Sequence, residues 1–156
     1  MLFMGIPVTI LIVDDESPIC QGIKSSIDWR TNTFTYAGCA YNGKSALALI
    51  LEIKPDIVIT DIRMPDMTGL ELMQETRKRG INSEFIAISA YKDFSYVKEA
   101  MKYGAKDYLL KPFSAEELNA TLIRIASDFR KRTQTNEKIL RRIQSMQKKT
   151  FLRTLL

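Results

Sequence analysis

The side chains best suited to chemistry in this sequence are three carboxylates and one lysine, each of which follows an apolar run. Asp14 and Asp15 follow "VTILIV", Asp61 follows "DIVIT", and Lys111 follows "KDYLL". A carboxylate beside a core is costly unless a cation accompanies it. If these carboxylates meet, they raise each other's pKa or recruit a cation, and a ligand set made only of oxygens favours Mg²⁺ over zinc.

Such a cluster is suited to phosphoryl transfer. A carboxylate beside Mg²⁺ can attack phosphorus and form an aspartyl phosphate, and this reaction needs mainly positioning and charge neutralisation. Lys111 can hold one phosphoryl oxygen, and the hydroxyl of Ser89 with the backbone N–H of Ala90 can hold another. The sequence contains no histidine, which excludes histidine-based triads and metal sites, and it has no Gly-rich loop of the P-loop kind.

The elements that position these groups alternate along the chain. Apolar, β-rich runs predict strands at Val8–Val13, Thr35–Ala40, Asp56–Thr60, Glu84–Ile88 and Lys106–Leu110. Helical patterns follow each run, and their predicted starts are Ser17 before Pro18, Asn42-Gly43, the capping box Thr68/Glu71, Asp93, and the capping box Ser114/Glu117. Five strand–helix repeats predict a parallel α/β sheet with helices on both faces. Ligands bind such sheets at the carboxyl ends of the strands.

The distribution of charge divides the chain near residue 127. Residues 1–126 hold 14 basic and 16 acidic side chains, whereas residues 127–156 hold nine and two. In this basic tail we expect the polar segment "RKRTQTN" (130–136) to interrupt the helix, after which an apolar pattern resumes at helical spacing, at Ile139, Leu140, Ile143 and Met146.

Other sequence features exclude several classes of protein. No apolar run reaches the ~20 residues of a membrane span, and the N-terminus lacks the basic start and cleavage site of a signal peptide. Cys20 and Cys39 have no metal-type spacing, so we expect free, buried thiols in a reducing cytoplasm.

Four segments, in order, resemble the receiver domain of bacterial two-component response regulators: "LIVDDE" (11–16), "PDIVITDIRMPDMTGLEL" (55–72), "ISA" (88–90) and "DYLLKPF" (107–113). The resemblance implies a doubly wound, flavodoxin-like (βα)5 fold over residues 1–128, with strand order 2-1-3-4-5. It also implies a cytoplasmic phosphoacceptor that is not an enzyme beyond slow autodephosphorylation. The phosphoryl donor would be a sensor histidine kinase.

The resemblance also implies a role for each matching residue. Asp61 is the expected phosphoacceptor and Lys111 the cation that binds the phosphoryl group. Ser89 and Tyr108 are the expected switch pair, in which the aromatic ring turns inward when the hydroxyl engages the phosphate. The groups expected to hold Mg²⁺ are Asp14 (largely through water), Asp15, Asp61 and the backbone carbonyl of Arg63. The bond Lys111–Pro112 is expected to be cis.

Two further details, "SSIDW" (25–29) and "SAYKDFSYVKEA" (89–100), resemble the branch whose receivers are joined to an AraC-type helix-turn-helix DNA-binding domain. Residues 129–156 would then be a basic helical linker toward that DNA-binding domain, which is absent from this sequence. The apolar ending "FLRTLL" suggests a fragment of a longer transcription factor. DNA would be bound only through the missing domain. A homodimer would form through helix 4, strand 5 and helix 5, or through the C-terminal helix. No membrane partner is expected.

Three other functions share part of this pattern. A Mg²⁺-dependent phosphohydrolase would use the same aspartyl-phosphate chemistry, but it needs a second acid where Arg63 stands. A receiver that is never phosphorylated would act only as a docking module, and the complete acidic set with Lys111 argues against it. A flavin-binding domain of the same architecture would carry a loop rich in Ser, Thr and Gly in place of the acidic "DDESPI".

Overall fold

The computed structural model describes residues 5–90 and 94–155, in which five strands alternate with five helices. The strands are β1 (Val8–Val13), β2 (Phe34–Ala40), β3 (Ile57–Asp61), β4 (Glu84–Ala90) and β5 (Asp107–Lys111). The helices are α1 (Ser17–Ser26), α2 (Gly43–Ile53), α3 (Gly69–Lys78), α4 (Phe94–Lys102) and α5 (Ala115–Leu155). All strand pairs are parallel, and the order β2-β1-β3-β4-β5 confirms the predicted fold.

Two apolar layers bury the sheet on both faces. One layer lies under α2, α3 and α4 and includes Leu11, Val58 and Phe85. The other lies under α1 and α5 and includes Ile12 and Ile59. Successive residues of a strand point to opposite faces. Because both faces of the central strands are covered, these strands read in the sequence as continuous apolar runs.

The helix starts confirm three predicted caps. Asn42 accepts a hydrogen bond from the backbone N–H of Ser45 at 2.8 Å, and the hydroxyls of Thr68 and Ser114 accept from the third residue of their helices at 3.1 Å. At α1 the predicted cap is wrong, because the helix begins at Ser17 itself and no side chain caps it. The predicted cap Asp93 lies outside the described residues.

Helix α5 runs unbroken from Ala115 to Leu155, so the predicted interruption at residues 130–136 is wrong. The helix contains no glycine or proline, and polar residues such as Arg, Lys and Gln have good helix propensity, so polarity alone does not end a helix. At 1.5 Å per residue the helix is about 60 Å long. Its second half extends beyond the sheet, and residues 135–155 are exposed.

The turn at which α5 leaves the sheet is held by two arginines. The buried guanidinium of Arg130 donates hydrogen bonds of 2.7–3.2 Å to backbone oxygens at the start of the sheet, those of Ile6, Asn32 and Thr33. Arg132 pairs with Glu84, at the start of β4, at 2.7 Å. These contacts extend the docked part of α5 to residue 132. Within the described residues, no helix is long and apolar enough to cross a membrane.

Candidate functional site

The sheet topology brings the predicted site residues to one edge. Asp14 and Asp15 directly follow β1, Asp61 is the last residue of β3, and Lys111 is the last residue of β5. The strand ends are in register, since Val13 pairs with Thr60 and Ala90 pairs with Lys111. Parallel strands place their carboxyl ends at the same edge, and β1 and β3 are neighbours at the point where the strand order reverses.

The three carboxylates are close enough to share one ion. One oxygen from each of Asp14, Asp15 and Asp61 lies within 4.8 Å of the others. Asp14 is buried, the side chain of Asp61 is 13% exposed, and Asp15 is exposed. Carboxylate oxygens at this spacing suit a hard divalent cation, and Mg²⁺ keeps several water ligands in such sites. The residues present therefore fit Mg²⁺, with Asp15 on the side open to solvent.

Lys111 contacts two of these carboxylates. Its Nζ atom lies 3.2 Å from Oδ2 of Asp14 and 3.6 Å from Oδ2 of Asp61. Burial disfavours the charged form of Lys111, but Asp61 and Asp14 outweigh that effect and hold its pKa above the ordinary value. Lys111 is therefore a fixed positive charge between the two acids, in position to face a group attached to Asp61.

The surroundings of Asp61 raise the pKa of its carboxyl group. Burial is the largest cause, and the neighbouring charges of Asp14 and Asp15 add to it, so the pKa rises from 3.8 to about 6. Lys111 and a hydrogen bond from the backbone N–H of Arg63 oppose this rise. Lys111 and the hydrogen bond from Arg63 therefore do not fully stabilise the negative charge of Asp61, and this favours binding of a further cation.

The predicted switch residues, Ser89 and Tyr108, lie on β4 and β5, which are paired with each other. Ser89 is buried in β4, and its hydroxyl donates to the backbone oxygen of Ala90 at 3.2 Å. To contact a phosphoryl group on Asp61, this hydroxyl has to rotate away from that oxygen. Tyr108 in β5 is half-buried and packs against the core layer under α2, α3 and α4. The bond Lys111–Pro112 is cis, as predicted.

A glycine that the sequence analysis did not single out shapes the loop after Asp61. Gly69 donates a backbone hydrogen bond to the oxygen of Ile62 at 2.8 Å. A Cβ atom added to Gly69 would collide with the backbone oxygen of Asp61 and lie 3.0 Å from the Cα atom of Ile62. Its place directly after the cap Thr68, at the first position of α3, is the signal that could have identified it.

The same loop borders a cavity of about 350 Å³ beside the acidic cluster. The cavity lies between the β3–α3 loop and α4, and its lining includes Ile62, Met64 and Leu70. The guanidinium of Arg63 lies over the ring of Tyr96 on α4, 5.8 Å from the ring centre. This contact links α4 to the residue whose backbone carbonyl is a predicted Mg²⁺ ligand.

Comparison with known proteins is consistent with this geometry. A family model described as the response regulator receiver domain matches residues 10–123. The chain is 39% identical over 122 residues to the transcriptional regulatory protein YesN of Bacillus subtilis, covering 78% of this chain and 33% of YesN. It is 38% identical to the transcriptional regulatory protein HptR of Staphylococcus aureus, covering 74% of this chain and 45% of HptR.

Solved structures give the same result for the fold. The REC domain of AraT, a response regulator from Geobacillus stearothermophilus, superposes with a TM-score of 0.76 at 35% identity, covering 81% of this chain and 98% of that domain. A two-component transcriptional regulator AraC from Clostridium phytofermentans superposes with a TM-score of 0.71 at 33% identity, covering 77% and 93%. The chain spans between a third and a half of the length of YesN and HptR.

Proposed function

The chain belongs to the response regulator receiver domain family, and on that premise we propose that Asp61 accepts a phosphoryl group from a sensor histidine kinase. The observation that carries this proposal is the meeting of three carboxylates and Lys111 at one edge of the sheet. In this proposal the chain is a phosphorylated switch in the cytoplasm and performs no turnover beyond slow loss of its own phosphoryl group.

Each part of the phosphoryl transfer is assigned to a residue of the site. Asp14, Asp15 and Asp61, with the backbone carbonyl of Arg63, would hold Mg²⁺, which supplies charge neutralisation for the phosphoryl oxygens. An oxygen of Asp61 attacks phosphorus, and the bond from phosphorus to the donor breaks. Lys111 is already 3.6 Å from this carboxylate and would bind an oxygen of the transferred group.

The first test is the gain of a phosphoryl group from a small donor. The protein is incubated with acetyl phosphate and Mg²⁺, with and without a chelator, and weighed by intact mass spectrometry. We expect one phosphoryl group, stable in acid and labile in base, that requires Mg²⁺ and is absent from Asp61→Asn. Glu52→Gln, on the exposed side of α2, is the matched control and should gain the group normally.

Some receivers accept phosphoryl groups only from a kinase, so a purified sensor histidine kinase with ATP is the second donor. If neither donor modifies the folded protein, the proposed function is wrong and the docking-module alternative takes its place. Modification that persists in Asp61→Asn would mean that another residue is the acceptor.

We propose that phosphorylation changes the surface formed by α4, β5 and α5. The phosphoryl group adds roughly −1.5 to −2 charges beside Lys111, and rotation of the Ser89 hydroxyl toward it would let Tyr108 move further into the core. This surface exposes several large apolar side chains, those of Phe94, Met101, Tyr103 and Ile123. Such a surface is suited to pairing with a second copy when the switch shifts the population of conformers.

The downstream output in this proposal is control of a DNA-binding domain. The relatives YesN and HptR are named as transcriptional regulatory proteins, and the matched residues cover only 33% of YesN and 45% of HptR. Residues 129–156 would connect the receiver to that domain. The part of α5 that makes no contact with the sheet would begin after residue 132, because Arg132 pairs with Glu84 at the start of β4.

The tail of α5, residues 133–155, would also contribute to dimerisation. It exposes an apolar stripe that no described residue covers, formed by Ile139, Leu140, Ile143 and Met146. Sedimentation equilibrium tests this role by comparing Ile143→Asp with Gln144→Asp, its exposed neighbour outside the stripe. Weaker association of Ile143→Asp alone supports the tail as a dimer surface, whereas equal effects contradict it.

A further inference from the structure

The tail of α5, residues 133–155, carries six basic side chains and a single acidic one, that of Glu137. The basic residues, which we call the basic face, are Lys138, Arg141, Arg142, Lys148, Lys149 and Arg153. All six are exposed, and none of them makes an ion pair with another described residue. The positive charge of the basic face is therefore not neutralised by the part of the chain that the structure describes.

The basic face and the apolar stripe of the tail point in different directions. Successive residues of an α-helix are rotated by about 100°, so the mean direction of the basic face lies about 130° from that of the stripe. A second copy that covers the stripe would leave most of the basic face in contact with solvent. The two surfaces can therefore be occupied at the same time.

The three carboxylates Asp14, Asp15 and Asp61 are too distant to neutralise the basic face. Arg130 fixes α5 at the start of the sheet, and the tail continues beyond that edge. The carboxylates lie at the opposite edge, and the six residues of β1 separate the two edges by about 20 Å. Exposed charges are largely screened beyond about 8 Å at physiological salt. An anionic partner for the basic face must therefore come from another molecule.

We propose that the basic face binds the phosphate backbone of DNA, without reading the base sequence. Lys138 and Arg153 are separated by about 22 Å along the helix, a length over which one strand of B-DNA carries about six phosphates. Lysine and arginine side chains that neutralise phosphates release condensed counterions, and this gives affinity without base contacts. The linker would then add its own affinity for DNA, beyond the expectation that DNA is bound only through the missing domain.

The placement of the two surfaces favours DNA over an anionic membrane. A helix that lies in a membrane surface buries its apolar face in the lipid, which would use the stripe that the proposed function assigns to a second copy. The phosphates of DNA need only the basic face, so DNA binding leaves a dimer intact. The choice of DNA rests on the proposed function, in which α5 leads to a DNA-binding domain.

The test titrates the full chain, without any phosphodonor, into a fluorescently labelled DNA duplex of arbitrary sequence and about 30 base pairs, between about 50 and 200 mM salt. We expect the anisotropy of the label to report binding that weakens as the salt concentration rises. The slope of log K against log salt should be roughly −3 to −5, since each neutralised phosphate contributes about −0.9.

A triple variant of the tail locates the binding surface. Arg142→Gln, Lys149→Gln and Arg153→Gln together remove three charges of the basic face, and glutamine keeps good helix propensity. This variant should bind the duplex at least about tenfold more weakly at 100 mM salt, with a slope reduced by roughly 2–3. The matched control combines Arg30→Gln, Lys44→Gln and Lys102→Gln, which remove three exposed charges outside the tail, and it should bind as the wild type does.

Three results would overturn the proposal. The first is no salt-dependent binding of the duplex, and the second is equal weakening in the two triple variants. The third is tighter binding to vesicles of phosphatidylserine and phosphatidylcholine than to the duplex, which would assign the tail to a membrane surface. Asp61→Asn should bind the duplex as the wild type does, so a chain that gains no phosphoryl group contradicts the proposed function and leaves the DNA result unchanged.

Discussion

Replacement of Asp61 by asparagine should stabilise the protein at neutral pH in the absence of divalent cations. In the folded chain the pKa of Asp61 is raised from 3.8 to about 6, mainly by burial and then by the charges of Asp14 and Asp15. The ionised carboxylate is therefore destabilising at pH 7. Asparagine keeps the shape of the side chain and can still accept the hydrogen bond from the backbone N–H of Arg63, but it carries no charge.

The size and sign of the effect follow from the pKa. A difference of about two pKa units corresponds to at most about 3 kcal/mol, at 1.36 kcal/mol per unit. The folded state binds the proton more tightly than the unfolded state, so the contribution of Asp61 to stability is fully present below pH 3.8 and is lost as the pH rises through about 6. The advantage of Asp61→Asn should therefore be near zero at pH 3.8, grow up to about pH 6 and stay constant above it.

Urea denaturation of both proteins between about pH 4 and pH 8, with a chelator present, measures this difference in stability. This range of pH includes the rise from 3.8 to about 6 over which Asp61 changes its contribution. At pH 7 the melting temperature of Asp61→Asn should rise by about 4–10 °C for a chain of this size. Glu52→Gln, which removes an exposed carboxylate, should change stability by less than about 0.5 kcal/mol. Addition of Mg²⁺ should stabilise the wild type more than Asp61→Asn, since the ion binds the ionised form.

Two results would refute this reasoning. If Asp61→Asn is less stable than the wild type at pH 7 without Mg²⁺, the contact between Asp61 and Lys111 outweighs burial and repulsion. If the difference in stability does not depend on pH, the ionisation of Asp61 is not its cause.

Three further substitutions test other parts of the structure. Lys111→Met removes the cation that lies 3.2 and 3.6 Å from two carboxylates, so the pKa of Asp61 should rise further above its value in the wild type. A carboxyl titration followed by NMR measures it, and a lower pKa would contradict the geometry. Gly69→Ala should destabilise by about 1–3 kcal/mol, because the new methyl group meets the backbone of Asp61. Gly22→Ala, in open space on α1, should stabilise by about 0.5–1 kcal/mol. If the two glycine variants change the melting temperature in the same direction, the close approach at Gly69 is contradicted. Arg130→Met should lower the free energy of unfolding by about 1–3 kcal/mol, because backbone oxygens at the start of the sheet lose their donor. Lys131→Met, at an exposed position, should lower it by almost nothing. Similar urea midpoints for the two variants would show that Arg130 does not hold α5 on the sheet.

Part of the candidate site could be predicted because it depends on local patterns. Apolar runs of strand length that alternate with helical patterns predict a parallel sheet, and a parallel sheet brings the residues after its strands to one edge. Asp14, Asp61 and Lys111 follow such runs directly, so their meeting needed no knowledge of the packing. An error of one residue in the end of a strand, as at Asp61, does not move a side chain away from that edge.

The errors came from features that local patterns describe poorly. The segment "RKRTQTN" is polar, but polarity does not end a helix, and α5 continues because it contains no glycine or proline and because Arg130 fixes this turn to the sheet. Ser17 was expected as a cap because serine caps many helices and Pro18 follows it. In the structure Ser17 is the first residue of α1, and Glu16 occupies the cap position before it.

By itself the sequence determined the class of fold, the residues that meet at the edge of the sheet, and the preference of their oxygens for a hard cation, because each follows from residue type and strand order. Only the tertiary structure decided the quantities that depend on distance and burial. These are the raised pKa of Asp61, the position of Lys111 between two acids, and the approach of the Cys20 thiol to the backbone oxygen of Ala40 across 20 positions of sequence. Electrostatic energy changes with separation and with the exclusion of water, and both are set by packing between segments that are distant in the chain.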